Sequence, residues 1–499
     1  MICVSLGFES VEQMLAEHRR AAAAGAELVE LRLDYLQGPF DVRQLLADRP
    51  GAAIVTCRRK DDGGRWAGTE VERQALLRAA VAAGADYVDL EEDAAAAISR
   101  SGRTRRIVSH HDLQRTPDDL ETIHRRLARL DADVVKIAAM AVSPHDNLRM
   151  LQLVRKAAVR TVGFCMGEIG IISRVLAGRF GSPWSYAAPE GQAVAPGQPT
   201  FAQMKDLYRY DQIDATTGVY GVIGDPIGHS LSPRLHNTAF IARGLNKVYL
   251  PLRIPPACLP EFIDDAPELG IQGLSVTIPH KETILAKLAR PDDAVKGIGA
   301  ANTALFDGRD WSGFNTDYQA AMDSLEEAME NSGRQADKSL AVSPLRGKKV
   351  LVLGAGGVAR AIVYGLVVRG AEVSLCDGVP ARAEQLAARW KCRAVSWTDR
   401  HAAPVDVLIN CTPVGMHPKV EETPFDAAHL RAAILVFDSV YIPESTRLLT
   451  EAAERGCRVV RGADMFVRQA ALQFEMFTGQ DSPTELMREV IRKALTEKR

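Results

Sequence analysis

Along the first two-fifths of the chain, apolar runs of six to eight residues alternate with longer stretches in which apolar positions recur every three or four residues. The runs are "ICVSLG" (2–7), "ELVELRLD" (27–34), "AAIVTCR" (52–58), "DYVDLE" (86–91), "RIVSHHD" (106–112), "DVVKIAAM" (133–140), "RTVGFCM" (160–166) and "PWSYAA" (183–188). The stretches 10–24, 70–83, 116–130 and 145–158 carry the helical period, and the alanines at 21–24 and 94–97 add helix propensity. Near-continuous apolar runs suit strands buried on both faces, and strands alternating with helices form parallel sheets. Eight such units in about 200 residues predict a small (β/α)8 barrel, with its active site at the C-terminal strand ends.

The pattern then changes. "DQIDATTG" (211–218) is short and polar and reads as a linker, and a new strand begins at "VYGVIGDP" (219–226). A second α/β domain extends to about residue 325, and the polar, aperiodic piece 326–349 is expected to be a long loop. "KVLVLGAGGVARAIVYGLVVRGAEVSLCDG" (349–378) reads as strand, glycine turn, helix, strand. The fold class is therefore α/β throughout: a barrel, then a two-domain dehydrogenase-like half with a Rossmann domain. Expected domains are 1–210, 219–325 completed by C-terminal helices 465–499, and 347–464.

Composition narrows the function classes. With 61 Lys and Arg against 63 Asp and Glu, and no basic block, nucleic acid is not an expected partner. Eight scattered cysteines without a CxxC pair predict reduced thiols in the cytoplasm and no zinc site. "MICVSLGFESVEQ" enters a strand directly, so no signal peptide is expected, and no apolar run approaches a membrane span.

Candidate chemistry clusters where the barrel places it. Glu30, Arg32, Arg58, Glu91, His111 and Lys136 stand at or near predicted strand ends, and Arg174 follows the seventh strand. Lys136 sits among Val134, Val135, Ile137 and Ala138. An ammonium there loses hydration, which leaves two readings: a strand-end lysine that snorkels outward, or an amine kept for chemistry. In the other half, "LGAGGVARA" fits G-x-G-x-x-A through Gly354, Gly356 and Ala359, and the next strand ends in Asp377. Strand before, helix after and acid at the next strand end are the setting of a dinucleotide site.

These pieces resemble two families. Residues 1–210 resemble type I 3-dehydroquinate dehydratase in "ELRLD", "TCR", "DLE", "SHHD", "KIA", "GIISR" and "APGQ". Residues 219–499 resemble shikimate dehydrogenase in "GHSLSPRLHN", "SVTIPHK", "GAANT", "GFNTD", "GAGG", "NCTPVGM", "DSVY" and "MFVRQ". Joined in this order they look like the bifunctional fusion best known from plants. The resemblance implies that Lys136 forms an imine with 3-dehydroquinate and His111 moves the proton, with Glu91 orienting the imidazole. It implies that Arg174 holds the carboxylate, while Glu30, Arg32, Arg58 and Gln198 position the rest. In the second half it implies Lys281 and Asp317 as the proton-transfer pair. Ser230, Ser232, Thr277, Asn302, Tyr441 and Gln469 would hold the substrate, 3-dehydroshikimate or shikimate. The cofactor, NADP or NAD, would lie against Gly354, Ala355, Gly356, Gly357, Val358, Ala359, Asp377, Arg382, Thr412 and Gly462; no metal is implied. Motif register selects His111 over His110.

Two departures stand out. Val194 occupies the place of an expected serine near "APGQ", and Asp377, Gly378 and Val379 replace the "NRT" whose arginine pairs with the 2′-phosphate of NADP. The second departure predicts use of NAD at least as well as NADP, with Arg382 as a partial substitute. Competing readings are a catabolic quinate/shikimate dehydrogenase fusion and a non-catalytic sensor built from the same domains.

Overall fold

The structure is a computed structural model that describes residues 1–330 and 342–497. Its parts form two compact units, 1–229 with 246–271, and 230–245 with the described residues from 272 onward.

The first unit begins with the barrel. Strands β1 (Ile2–Leu6), β2 (Leu28–Arg32), β3 (Ala52–Thr56), β4 (Tyr87–Glu91), β5 (Arg105–Asp112), β6 (Val134–Met140), β7 (Thr161–Met166) and β8 (Ser185–Ala187) are all parallel. Their hydrogen-bonded order is β7-β6-β5-β4-β3-β2-β1-β8. Across the remaining seam the rings of Phe164 and Tyr186 lie 5.7 Å apart. Side chains alternate along a strand, so every second residue enters the interior. Cys3, Leu28, Ile54, Tyr87, Ile107, Val134, Val162 and Trp184 make an apolar floor. Two residues further along their strands stand Ser5, Glu30, Thr56, Asp89, Ser109 and Lys136, all buried. The interior thus changes from oil to charge within one step of the pleat.

The four expected barrel helices appear as Val11–Ala23, Glu70–Ala82, Leu120–Ala128 and His145–Lys156. The third starts later than the period predicts. Pro117 interrupts it, and Thr116 Oγ1 donates to Met140 O at 2.9 Å instead of capping a helix.

The same unit contains the parallel pair β9 (Gly218–Gly224) and β10 (Lys247–Arg253). The barrel reaches it through His145 Nδ1–Asp265 at 2.7 Å, Gln152–Glu268 at 2.6 Å and Arg253–Glu168 at 3.1 Å. Arg253 Nε also donates to Asp225 at 2.9 Å, and a β-carbon on Gly228 would stand 3.2 Å from Glu168. The stretch 211–218 is tied down at several points: the N-terminal amine meets Asp211 at 2.8 Å, and Arg179 donates to Thr217 O at 2.6 Å.

In the second unit, β11 (Ile271–Val276) pairs antiparallel with β13 (Thr303–Phe306), and β13 with β14 (Trp311–Phe314); β12 (Arg290–Pro291) pairs parallel with β14. Helices Gly462–Thr478 and Thr484–Glu497 pack on helix Ser232–Ala242. The expected loop 326–349 is corrected at its start. Helix Thr316–Glu330 continues through it, because Leu325, Ala328 and Met329 extend an i, i+3, i+4 apolar face against the core. Residues 331–341 of that stretch lie outside the described residues.

The remaining sheet is fully parallel: β15 (Lys349–Leu353), β16 (Glu372–Cys376), β17 (Arg393–Ala394), β18 (Val407–Asn410), β19 (Leu435–Asp438) and β20 (Arg458–Arg461). The order β17-β16-β15-β18-β19-β20 reverses direction of winding between β15 and β18, which opens a ligand crevice beyond their C-terminal ends.

Candidate active sites

Inside the barrel the second interior layer converges on Lys136, which is 4% exposed. Its Nζ meets Asp89 Oδ2 at 2.8 Å and Glu30 Oε1 at 3.2 Å, and lies 4.3 Å from the Tyr186 ring centroid. The lysine therefore does not snorkel outward. Nor is its pocket apolar, as the sequence around it suggested, because neighbouring strands turn two carboxylates toward it. Ser5 and Thr56 donate to Glu30 at 2.8 and 2.9 Å, and Ser109 donates to Asp89 at 2.5 Å. Despite the pull of burial, Lys136 and nearby arginines hold both carboxyls below their ordinary range.

The next layer carries Arg58, Glu91 and His111. Strand alternation puts His111 on the inward face with Ser109, whereas His110 feels Arg126, Asp112 and Glu92 outside. Burial, Arg58 and Lys136 drive the His111 pKa well below 6.5, so its imidazole is neutral. Glu91 is not its partner. Glu91 accepts from Arg58 at 2.7 Å and from Arg73 at 2.6 Å, and the carboxylate that acts electrostatically on His111 is Asp89. Two guanidiniums outcompete an imidazole for that carboxylate. Arg73, 0% exposed on helix Glu70–Ala82, and Asp89 are functional neighbours that sequence reading passed over. Each left a trace: Asp89 stands two residues before Glu91 on one face, and Arg73 shares the helical stripe of Leu77 and Ala80.

Arg174 lies on helix Ile171–Leu176, fully buried, 4.4 Å from the Phe164 ring centroid. Among the described residues none of its three guanidinium nitrogens has a hydrogen-bond partner, and burial draws its pKa down to about 10. A buried guanidinium without a counter-charge has the chemistry to receive an anion. Arg32 is satisfied by Asp34 at 2.9 and 2.8 Å. The loop after β8 folds over the barrel: Gln198 Nε2 is 3.5 Å from Ser5 Oγ, and Val194 packs at Gly7. Gly197 pins that loop, since at φ 66° its missing β-carbon would stand 2.2 Å from Gly167 O.

The second centre is built around Lys281 and Asp317, whose Nζ and Oδ2 are 2.6 Å apart. Lys281 projects from the short helix His280–Thr283, and Asp317 from the first turn of Thr316–Glu330. Asn302 fixes that turn by accepting from Thr316 N at 2.7 Å and donating to Thr316 Oγ1 at 2.9 Å. Gln473 holds Asn302 O at 3.1 Å, one turn after Gln469 on the same helix. Tyr441 stacks on Phe466 at 4.9 Å, and Thr277 lies just beyond β11. Ser230 and Ser232 make no bond to the Lys281–Asp317 pair among the described residues. Ser230 Oγ accepts from Ser232 N at 3.3 Å at the start of helix Ser232–Ala242.

Lys281 Cδ is 3.8 Å from where a β-carbon on Gly357 would stand, which places the pair beside the glycine turn. Gly354 takes φ 101°, and Gly356, capping helix Gly357–Val368, has no atom within 4 Å of a virtual β-carbon. That open cradle at a helix N-terminus fits a dinucleotide pyrophosphate. Ala355, Val358 and Ala359 complete the turn. Asp377 braces it, accepting from Ala355 N and Val379 N, both at 2.8 Å. Thr412 borders Gly354, Arg382 is exposed on helix Pro380–Trp390, and Gly462 packs against Val440 O.

Comparisons with known proteins divide the chain in the same places. Residues 2–215 match the type I 3-dehydroquinase family, 222–304 the shikimate dehydrogenase substrate binding domain, and 462–492 the shikimate 5′-dehydrogenase C-terminal domain. Residues 349–436 match a model described as NADP oxidoreductase coenzyme F420-dependent. A crystal structure of shikimate dehydrogenase in complex with NADP+ matches with a TM-score of 0.52 at 34% identity, covering 57% of this chain and 97% of that one. Quinate dehydrogenase from Corynebacterium glutamicum in complex with NAD matches with a TM-score of 0.50 at 30% identity, covering 56% and 99%. The chloroplastic bifunctional 3-dehydroquinate dehydratase/shikimate dehydrogenase of Arabidopsis thaliana is 40% identical over 99% of this chain and 84% of its own length. Similar to that relative through both its barrel and its dinucleotide crevice, the chain belongs to the family of bifunctional 3-dehydroquinate dehydratase/shikimate dehydrogenases.

Proposed function

We propose that the two centres act in sequence: the barrel dehydrates 3-dehydroquinate, and the second half reduces the resulting 3-dehydroshikimate to shikimate. The observation that carries the first step is Lys136 held between Asp89 and Glu30 in a barrel whose Arg174 is unpaired. Arg174 takes the substrate carboxylate. Lys136, after passing a proton to a neighbouring base, attacks the C3 ketone; water leaves and a protonated imine forms. The imine acidifies C2, neutral His111 takes that proton, and the enamine expels the C1 hydroxyl, which leaves as water with a proton from His111. Hydrolysis of the imine frees the product and Lys136. Asp89 supports the charged imine and imidazole, while Glu91 fixes Arg58. The Val194 side chain offers no hydrogen bond where the family has a serine, so substrate is held less tightly there or another group takes the serine's place.

In the second half, Lys281 donates a proton to the 3-keto oxygen, and Asp317, 2.6 Å away, aims its ammonium. Ser230 and Ser232 receive the carboxylate; Thr277, Asn302, Tyr441 and Gln469 hold the ring. The nicotinamide dinucleotide, when bound, supplies the hydride. Its phosphates would lie at 354–359. At the adenosine end stands Asp377 with no arginine at 378 or 379, which favours NAD at least as much as NADP. Neither step calls on a metal, nucleic acid or membrane. All eight cysteines are free, as a reducing compartment such as the cytoplasm keeps them.

Borohydride added with 3-dehydroquinate should leave a reduced adduct on the peptide bearing Lys136. An active dehydratase without that adduct would refute the imine.

A further inference from the structure

Asp438, at the end of β19, is fully buried, and neither centre uses it. Three donors converge on it: Asn410 Nδ2 at 2.9 Å and Val440 N at 3.0 Å on Oδ1, and Thr446 Oγ1 at 2.6 Å on Oδ2. Each donor secures a different wall of the crevice. Asn410 Oδ1 accepts from Thr412 N at 2.9 Å and Thr412 Oγ1 at 2.7 Å, and Thr412 Oγ1 accepts from Val414 N at 3.2 Å. The 411–414 turn so fixed borders the glycine turn, with Cys411 backbone 3.0 Å from the virtual β-carbon of Gly354. Val440 leads directly into Tyr441. Thr446 starts helix Arg447–Glu454 by accepting from Leu449 N.

We propose that Asp438 is a positioning residue for the nicotinamide dinucleotide: its ionised carboxylate holds the 411–414 and 439–441 turns in the receptive geometry, and protonation loosens both and lowers cofactor affinity. The inference rests on reading 347–464 as the nucleotide domain. A carboxylate can only accept, so three donors suit it; once protonated, one oxygen must donate, and Thr446 must turn its hydroxyl. The bonds that remain are weaker for losing the charge. Burial without a cation pushes the Asp438 pKa up from 3.8 to about 6, within reach of working pH. The surrounding charges do not offset this. Cys411 is itself pushed upward, by burial first and then by Asp438. Arg461, opposite on β20, is exposed, and Arg447 is paired with Glu451 at 2.7 Å.

The test is equilibrium binding of NADPH and NADH to the full chain between pH 5 and 8. NADH lacks a 2′-phosphate, so titration of that group cannot imitate the effect. Wild-type affinity for both should fall about fivefold to tenfold on passing downward through pH 6, the size expected when charge-assisted hydrogen bonds become neutral. Asp438→Asn, neutral and of equal size, should bind weakly at every pH while dehydratase turnover stays intact. Thr446→Val removes a donor that favours the ionised form, so its midpoint should move to higher pH. Wild-type NADH affinity in Asp438→Asn at pH 7, or an unshifted midpoint in Thr446→Val, would overturn the proposal. A wild-type chain that binds neither nucleotide at pH 8 would overturn the domain reading instead.

Discussion

Replacing Arg174 by methionine should make the barrel more stable and nearly inactive at once. The guanidinium is 0% exposed, unpaired on all three nitrogens among the described residues, and its pKa is drawn down from 12.5 to about 10 by burial. At about 1.4 kcal/mol per pKa unit, holding that charge in its buried position costs about 3 kcal/mol. The sign follows from linkage: with the folded pKa below the unfolded one, the penalty is present in full at every pH below about 10. Methionine removes the charge and keeps most of the volume, but it forfeits the contact with the Phe164 ring, roughly 0.5–2 kcal/mol. The net gain is about 1–3 kcal/mol, or several degrees in the melting transition of the barrel. The same change takes away the proposed partner of the substrate carboxylate, and kcat/KM for 3-dehydroquinate should fall about 10²-fold or more. Thermal unfolding with and without a carboxylate-bearing substrate analogue, beside the ultraviolet assay for the conjugated product, reads both effects. A variant that melts lower than wild type, or that keeps its KM, would refute the argument that Arg174 is an uncompensated buried charge that receives the substrate carboxylate.

Five further outcomes are expected. Lys281→Ala and Asp317→Ala should each lower shikimate oxidation about 10²- to 10⁴-fold and leave dehydration unchanged, measured on the same preparation. Because the His111 pKa lies well below 6.5, the acid limb of dehydratase kcat/KM should fall well below pH 6.5, and Arg58→Gln should move it upward. Since a histidine buried neutral is protonated first in the unfolded chain, stability should decline as pH drops through 6.5. The kcat/KM ratio should favour NAD at least as much as NADP in wild type; a hundredfold preference for NADP would show that Arg382 or another cation governs that end. Residues 1–210 and 218–499 expressed apart should each keep one activity, with the barrel melting lower once Arg179 loses Thr217 O.

The barrel was legible because its strands are covered on both faces, so each writes an unbroken apolar run. The Rossmann turn was legible because its glycines answer to a local need of the backbone. The polar interior was only half legible. Glu30, Lys136 and His111 mark themselves as polar residues in apolar strands, but which carboxylate serves which cation depends on register between strands far apart in sequence. Glu91 illustrates this: it was assigned to the imidazole, whereas Arg58 and Arg73 claim it. Arg73 lies on a helix, where a buried arginine looks like any surface residue until its partner is known. The continuation of helix Thr316–Glu330 was missed because two glutamates and the polar stretch beyond them masked the Leu325–Ala328–Met329 face.

Arg253 reaches both Asp225, in the loop that leads to Ser230, and Glu168, the residue after Gly167 at the rim of the barrel. Its consequence is evolutionary. Two enzymes joined by a bare tether can each be exchanged for any homologue of equal activity, and each can drift on its own. Here a homologous barrel grafted onto this dehydrogenase keeps the seam only if it brings an acid for Arg253 and a neighbour that fits Gly228. A substitution at position 168 is therefore judged twice, once by each catalytic half, so the lineage of one half constrains the lineage of the other.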